Sequence, residues 1–119
     1  MLNILVCIKQ VIDPEMPASA FNINTSSKKV EEPEGIPPVI NGFCENAVEA
    51  ALRIKDNNDA SITILSIGNK FVTEVMKKPL SMGADNLILI DDPKFENLDA
   101  VSTAHVLKAA IKKIGNFDL

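Results

Sequence analysis

Hydrophobic residues in this chain form short uninterrupted runs, and these runs alternate with longer stretches whose apolar positions follow helical spacing. The runs at 4–8, 61–67 and 87–90 have strand length and predict strands covered on both faces, as in a parallel sheet. The spacing of apolar residues predicts helices at about 45–55, 70–82 and 99–114. This alternation predicts an α/β fold whose parallel strands are joined by right-handed crossovers.

Three segments depart from the alternation. Residues 13–40 hold five prolines and predict a long connection with a possible weak hairpin, 21–23 against 29–31 around a polar turn. Pro79 falls inside the second helix, which therefore either kinks there or ends early and is followed by a separate turn. Phe117, Asp118 and Leu119 have the character of the opening of a fourth strand.

Composition narrows the class of protein. With 119 residues, 46% of them hydrophobic and 4% aromatic, the chain is expected to form a single domain around an aliphatic core. The net charge of -4 argues against nucleic-acid binding, which needs a basic surface. No stretch is apolar for long enough to span a membrane, and two isolated cysteines indicate reduced thiols, so a cytoplasmic location is expected.

Candidate chemistry lies where the loop 41–44 enters the first helix. A helix start offers unpaired N–H groups and a partial positive charge, so such a loop beside a strand end can hold an anion or a nucleotide. Cys7 is expected to be a small buried strand residue. Asp91 and Asp92 are expected to cap and turn the chain after the third strand, and His105 has no metal-ligating neighbour in the sequence. No nucleophile, base and orienting group can be assembled, so catalysis and a metal site are not expected.

Several blocks together resemble the N-terminal half of an electron transfer flavoprotein beta subunit. They are the opening 5–14, the loop and helix 41–55, the strand end Leu65-Ser66-Ile67-Gly68 and the turn Met82-Gly83-Ala84-Asp85. The resemblance implies an adenine nucleotide alpha hydrolase-like fold, a three-layer parallel sheet with helices on both faces, incomplete at its C-terminus. It also implies an electron carrier, not a catalyst, that pairs with an alpha subunit and passes electrons from flavin-dependent dehydrogenases to an acceptor. The nucleotide would be AMP, or FAD in electron-bifurcating members, with the flavin shared with the alpha subunit.

Carried over by position, the resemblance implies an adenosine pocket at the ends of two strands and the first helix. Its cofactor-binding residues would be Cys7, Asn41, Gly42, Phe43, Cys44, Ile67 and Gly68. Gly42 stands where the family usually has Pro, and Pro79 stands where it usually has a small helix-former. The family's phosphate-binding loop follows the fourth strand, beyond these residues, so AMP is expected to bind more weakly here than to a longer chain.

The alternative is a protein of a different class, a small nucleotide-binding enzyme or stress-type protein of the same superfamily. Such a protein would carry a Ser-Gly-Gly or Gly-x-x-Gly phosphate loop after the third strand, and residues 91–95 do not provide one. In the superfamily's strand order the first strand lies between the second and the fourth. An unfinished fourth strand would expose an apolar edge, which we expect either to mediate self-association or to be covered by part of 13–40.

Overall fold

The computed structural model describes all 119 residues. The strands are β1 Leu2–Cys7, β2 Gln10–Val11, β3 Ile23–Asn24, β4 Lys29–Val30, β5 Val39–Ile40, β6 Ala60–Gly68 and β7 Asn86–Asp91. The α-helices are α1 Gly42–Lys55, α2 Thr73–Met76, α3 Lys78–Met82 and α4 Ala100–Ile114. None of these helices is both long and apolar enough to cross a membrane.

A three-stranded parallel sheet organises the fold, with β6 between β1 and β7. The β1 register runs from Leu2 opposite Ala60 to Cys7 opposite Leu65, and β7 pairs along the other side of β6 as far as Asp91 opposite Gly68. The predicted α/β class and the parallel pairing are therefore confirmed. Two small antiparallel ribbons, β2 with β5 and β3 with β4, stand outside this sheet.

The core lies on the face of the sheet covered by α1. Alternate residues of the strands point to this face, and the buried side chains that meet there are aliphatic or Met: Ile4, Val6, Ile8, Ile62, Ile64, Val48, Ala51 and Met76. Helix α4 contacts the central strand as well. Thr103 and Leu107 of α4 line one cavity with Cys7 and Ile67. Because successive strand residues point to opposite faces, Cys7 and Ile67 point away from the face that is covered by α1.

Two helices differ from their predicted bounds for local reasons. α1 starts at Gly42, three residues before its predicted start, because the Asn41 side chain accepts a hydrogen bond from the Phe43 N–H at 2.9 Å and caps the helix. Of the two alternatives predicted for the segment 70–82, the structure has the early end, since α2 stops at Met76 and a separate short helix, α3, follows from Lys78. Pro79 falls in the first turn of α3, where a missing N–H costs no hydrogen bond, so the early end with a separate turn is the outcome.

The last residues of the chain run along the free side of β1. The Asp118 N–H donates to the Asn3 carbonyl at 2.8 Å, and the Leu5 N–H donates to the Leu119 carbonyl at 2.8 Å. Both bonds advance in the same direction along the two segments, as in parallel pairing. Residues 118 and 119 thus lie where a fourth strand was predicted, although they are too few to form one.

An apolar groove of about 250 Å³ opens beside this edge. It is lined by nine hydrophobic residues, Ile4, Leu5, Val6, Cys7, Ala47, Ala50, Ala51, Ile54 and Leu119. No residue of 13–40 is among them, so that segment does not line the groove. Self-association through this edge stays a prediction.

Asp85 joins the α1, α3 and sheet regions. One carboxylate oxygen accepts from Lys55 Nζ at 2.6 Å, and the other accepts from the Ile62 backbone N–H at 2.8 Å. Lys55 also donates to the Gly83 carbonyl at 3.1 Å. These bonds explain the Met82-Gly83-Ala84-Asp85 block physically: Gly83, at φ 125, ends the helix in a left-handed conformation, and the carboxylate then fastens the turn to the central strand.

Replacing Asp85 with Ala should lower the free energy of unfolding by about 1–2 kcal/mol, because the part-buried Ile62 N–H loses its charged acceptor. The matched control is Arg53→Ala, which removes an exposed ion pair with Glu49 and should cost at most about 0.5 kcal/mol. Urea unfolding followed by circular dichroism measures both. Equal losses of unfolding free energy in the two variants would contradict the stabilising role of the Asp85 hydrogen bonds.

The same variant has a defined pH dependence. The Lys55 and Ile62 hydrogen bonds hold the pKa of Asp85 below its ordinary 3.8, so the stabilisation is present above that pH and is lost as pH falls through the lower folded-state pKa. The stability difference between the wild type and Asp85→Ala should therefore be largest near neutral pH and shrink below about pH 4. A difference that stays constant down to pH 2.5 would show that the carboxylate charge contributes nothing.

Candidate functional site

A cavity of about 470 Å³ lies at the carboxyl ends of β1 and β6. Its apolar lining comes from Cys7, Ile8, Cys44, Ile67, Phe71, Phe95, Leu98 and Leu107. Its other lining residues are Lys9, Gln10, Gly68, Asn69, Asn97 and Thr103. Ligands of open α/β sheets bind at this edge, and a mostly apolar cleft with a few polar groups is typical of a small-molecule site.

The structure brings four of the seven residues proposed from the sequence to this cavity, namely Cys7, Cys44, Ile67 and Gly68. Asn41, Gly42 and Phe43 are not among its lining residues. Asn41 is nevertheless fixed beside it, because its backbone N–H donates to the Lys9 carbonyl at 2.9 Å. Phe43 is 85% exposed, so it neither lines the cavity nor packs the helix against the loop.

The strand ends that form the cavity floor are fastened together by a buried hydroxyl. Ser66, which is fully buried, donates from Oγ to the Ile8 carbonyl at 2.7 Å, and the Ile8 N–H donates to the Leu65 carbonyl at 2.9 Å. These bonds carry the β1 and β6 pairing past the last ladder residue, Cys7. Ser66 thus positions the strand ends, a role that the sequence pattern does not reveal.

The loop after β6 is held from two sides. The Asp91 carboxylate accepts from the Lys70 and Phe71 N–H groups at 3.1 and 3.2 Å. The Gln10 amide donates to the Lys70 carbonyl at 3.2 Å and accepts from the Val72 N–H at 2.8 Å. Because this loop contributes Asn69 and Phe71 to the cavity, Asp91 and Gln10 fix one wall of the site.

The two aspartates after β7 have structural roles. Asp91 holds the neighbouring loop as described, and Asp92 caps the short turn 93–95 by accepting from the Lys94 N–H at 2.8 Å. The prediction that this pair caps and turns the chain is confirmed for Asp92. His105 is exposed on α4, and no group of three or more His, Cys, Asp or Glu is arranged to hold a metal ion.

Sequence reasoning missed the wall contributed by α4 and by the chain between β7 and α4. Phe95, Asn97, Leu98, Thr103 and Leu107 all line the cavity. Asn97 adopts φ 69, a left-handed conformation that Asn tolerates better than most residues. The available signal was the apolar pair Phe95 and Leu98 in an otherwise polar connection.

The helix starts near the cavity are already capped. The first-turn N–H groups of Phe43, Cys44 and Glu45 donate to the side chain or the carbonyl of Asn41. At α4, the Asp99 side chain accepts from the Ser102 N–H at 2.7 Å and adds a negative charge, and these bonds hold the pKa of Asp99 below its ordinary value. Lys9 is therefore the one cationic side chain that the cavity offers to a phosphate group.

Two thiols share the cavity. Cys7 is exposed, so the expectation that it would be a buried strand residue is wrong, because the end of β1 opens onto the cavity. Although the residue is exposed, the protein atoms around the cavity partly desolvate its thiol; this raises the pKa of Cys7 above the ordinary 9.0, and the nearby Cys44 adds to the rise. Both cysteines are free thiols.

Comparisons with known proteins bear on this geometry. Residues 31–119 match the electron transfer flavoprotein domain family. The chain is 39% identical over 114 residues to an electron transfer flavoprotein subunit beta from Megasphaera elsdenii, covering 95% of this chain and 40% of the relative. It is 37% identical over 113 residues to the protein of that name from Clostridium acetobutylicum, covering 95% and 42%. It is 35% identical over 119 residues to the caffeyl-CoA reductase-Etf complex subunit CarD of Acetobacterium woodii, covering 99% and 44%.

The chain thus has an α/β fold with a cavity at the carboxyl ends of its strands, and it is similar to these relatives along almost its whole length. The chain belongs to the electron transfer flavoprotein family, and its similarity is to beta subunits of that family. It spans about two-fifths of the length of the relatives it matches.

The thiol at the cavity opening gives a direct test of the site's geometry. In a Cys44→Ser variant, where Cys7 is the only thiol, the rate of alkylation by iodoacetamide should rise with pH through a midpoint above 9.0. Burial, the larger cause of the shift, remains in this variant. The unfolded variant in concentrated urea is the control and should react with an ordinary midpoint. A folded-state midpoint at or below that of the unfolded chain would contradict the described surroundings of Cys7.

Proposed function

We propose that this chain forms the adenosine-holding part of an electron transfer flavoprotein beta subunit. In this role it binds AMP or the adenine nucleotide part of FAD and pairs with an alpha subunit, with which it shares the flavin. The assembled protein carries electrons from flavin-dependent dehydrogenases to an acceptor and is not a catalyst in its own right. The fold would be of the adenine nucleotide alpha hydrolase-like type, and the location cytoplasmic.

One observation carries the nucleotide proposal: the cavity of about 470 Å³ lies at the carboxyl edge of a parallel sheet and collects Cys7, Cys44, Ile67 and Gly68 from separate segments. These are four of the seven positions that the family resemblance implies. The volume falls in the range of small-molecule sites, and the aromatic rings of Phe71 and Phe95 suit a flat heterocycle.

The surroundings favour the nucleoside over its phosphate. The nearby helix starts have their N–H groups capped, and Asp99 places a carboxylate at the start of α4. Anion binding at a helix start depends on free N–H groups and the helix dipole, and a carboxylate there opposes it. We therefore infer that this chain recognises adenosine and leaves the phosphates to contacts outside the cavity.

Isothermal titration calorimetry of the chain with AMP and with adenosine tests this inference. Both should bind to one saturable site, with dissociation constants within about threefold of each other, because the phosphate adds little. Saturating AMP should also slow the alkylation of Cys7 in the Cys44→Ser variant. The absence of both binding heat and protection of Cys7 would overturn the proposal.

A substitution at the cavity floor sharpens the test. A Cβ added at Gly68 would lie 3.0 Å from Cζ of the Phe71 ring, so Gly68→Val should push the ring and weaken AMP binding at least about tenfold. The control is Ala109→Val on the exposed part of α4, which is outside the cavity and should leave the affinity unchanged. Equal affinities in the two variants would show that AMP binds elsewhere.

A further inference from the structure

Both cysteines of the chain meet at one cavity. Cys7 ends β1 and Cys44 lies in the first turn of α1, and both line the cavity at the carboxyl ends of the strands. Desolvation raises the pKa of Cys7 most, and the Cys44 thiol adds to the rise, as expected of two thiols that lie near each other. The fold therefore brings together two reactive groups that are far apart in the sequence.

Backbone hydrogen bonds hold these two segments side by side. The Asn41 N–H donates to the Lys9 carbonyl at 2.9 Å, and the pairing of β2 with β5 continues this attachment. Cys7 lies just before Lys9 in the chain, and the Cys44 N–H donates to the Asn41 carbonyl at 2.9 Å. A short length of strand and one helical turn thus separate the two thiols, and both are tied to the same hydrogen bond.

The two thiols differ in their surroundings. Cys44 is half-buried and packs against the core, whereas Cys7 is exposed. Cys7 lines both the cavity and the apolar groove beside β1, so a small reagent can reach it from either side. Free cysteines are usually buried as small hydrophobic residues, and this packing role accounts for Cys44 but not for Cys7. The arrangement is that of an accessible attacking thiol beside a sheltered second thiol.

Other roles for a pair of thiols lack the residues they need. An enzymatic thiol nucleophile is activated by a base, and no His, Asp or Glu lines this cavity. A structural zinc site takes four ligands, and no group of three or more His, Cys, Asp or Glu is arranged to hold a metal ion. The chemistry that the pair can perform without further residues is thiol–disulfide exchange.

We propose that Cys7 and Cys44 form a modification site at which a low-molecular-weight disulfide converts the two thiols into one intramolecular disulfide. The Cys7 thiolate attacks one sulfur of the reagent, which forms a mixed disulfide and releases the first small thiol. The Cys44 thiolate then attacks the Cys7 sulfur, and the bond to the small molecule breaks and releases the second small thiol. The two protein thiols are oxidised, the reagent is reduced, and the protons of the protein thiols pass to the released thiolates.

The new bond would cross the cavity. It joins the end of β1 to the first turn of α1, in the space that the proposed function gives to adenosine, so the oxidised chain should hold the nucleotide poorly. This consequence rests on the proposed function, whereas the disulfide itself does not. Exposed disulfides are readily reduced, and intracellular disulfides are usually transient and redox-sensing, so the modification is reversible.

Oxidised glutathione added to the reduced chain tests the site. The wild type should lose both thiols and the mass of two hydrogen atoms, retain no glutathione, and remain a monomer in non-reducing electrophoresis. The matched controls are Cys7→Ser and Cys44→Ser, which each keep one thiol and cannot form the bond. Cys44→Ser should stop at a glutathione adduct on Cys7. Circular dichroism checks that both variants are folded.

The fold should speed the second step. Release of glutathione from the mixed disulfide should be at least about tenfold faster in the folded wild type than in the wild type unfolded by urea, because groups held together react as if highly concentrated. The proposal would be overturned by release that is no faster in the folded chain, by a glutathione adduct that persists on the wild type, by disulfide-linked dimers in place of the monomer, or by thiols that do not react.

Calorimetry with AMP separates this site from the proposed function. AMP should bind the oxidised wild type at least about tenfold more weakly than the same sample after reduction by dithiothreitol. Equal affinities would overturn the placement of the disulfide across the nucleotide cavity. A reduced chain that does not bind AMP would instead overturn the proposed function, and the disulfide, which is measured without nucleotide, would still decide the modification site.

Discussion

The pairing of β1 with β6 is the interaction on which both the fold and the cavity depend. Six residue pairs hold the strands in parallel register, and Ser66 carries the attachment past the end of the ladder to the Ile8 carbonyl. The same pairing presents alternate side chains to the core on one face and Cys7 and Ile67 to the cavity on the other. A one-residue slip would exchange these faces, so the register that builds the core also builds the site.

Much of the architecture follows from the sequence because continuous apolar runs and helical spacing are strong local signals. The three strands of the main sheet and α4 lie close to their predicted positions for this reason. For the second helix, Pro79 indicated a kink or an early end, and the apolar spacing, which continues across Pro79, could not decide between them; the structure has the early end, with α3 starting at Lys78. The start of α1 was placed late because its spacing begins at Glu45, whereas the Asn41 cap sets the actual first residue.

The cavity was only partly predictable, and the reason is physical. Cys7, Cys44, Ile67 and Gly68 could be named because the family resemblance implies them by position, and the predicted strand ends and the first turn of α1 are consistent with that placement. The opposite wall depends on where the chain between β7 and α4 folds back, and no local pattern encodes that path. Gln10 and Asp91 form hydrogen bonds with Lys70, which is far from both in the sequence, so a single sequence gives no sign of these contacts.

The exposed ribbon of β3 and β4 and the cavity are parts of one continuous arrangement. The segment that carries the ribbon leaves the body after β2 and returns through β5, and these two strands pair with each other at Gln10 opposite Ile40. Gln10 lines the cavity and holds the loop after β6, while Asn41, which directly follows β5, caps α1 beside the same cavity. The hydrogen bonds that anchor the ribbon to the body are therefore the ones that border the site.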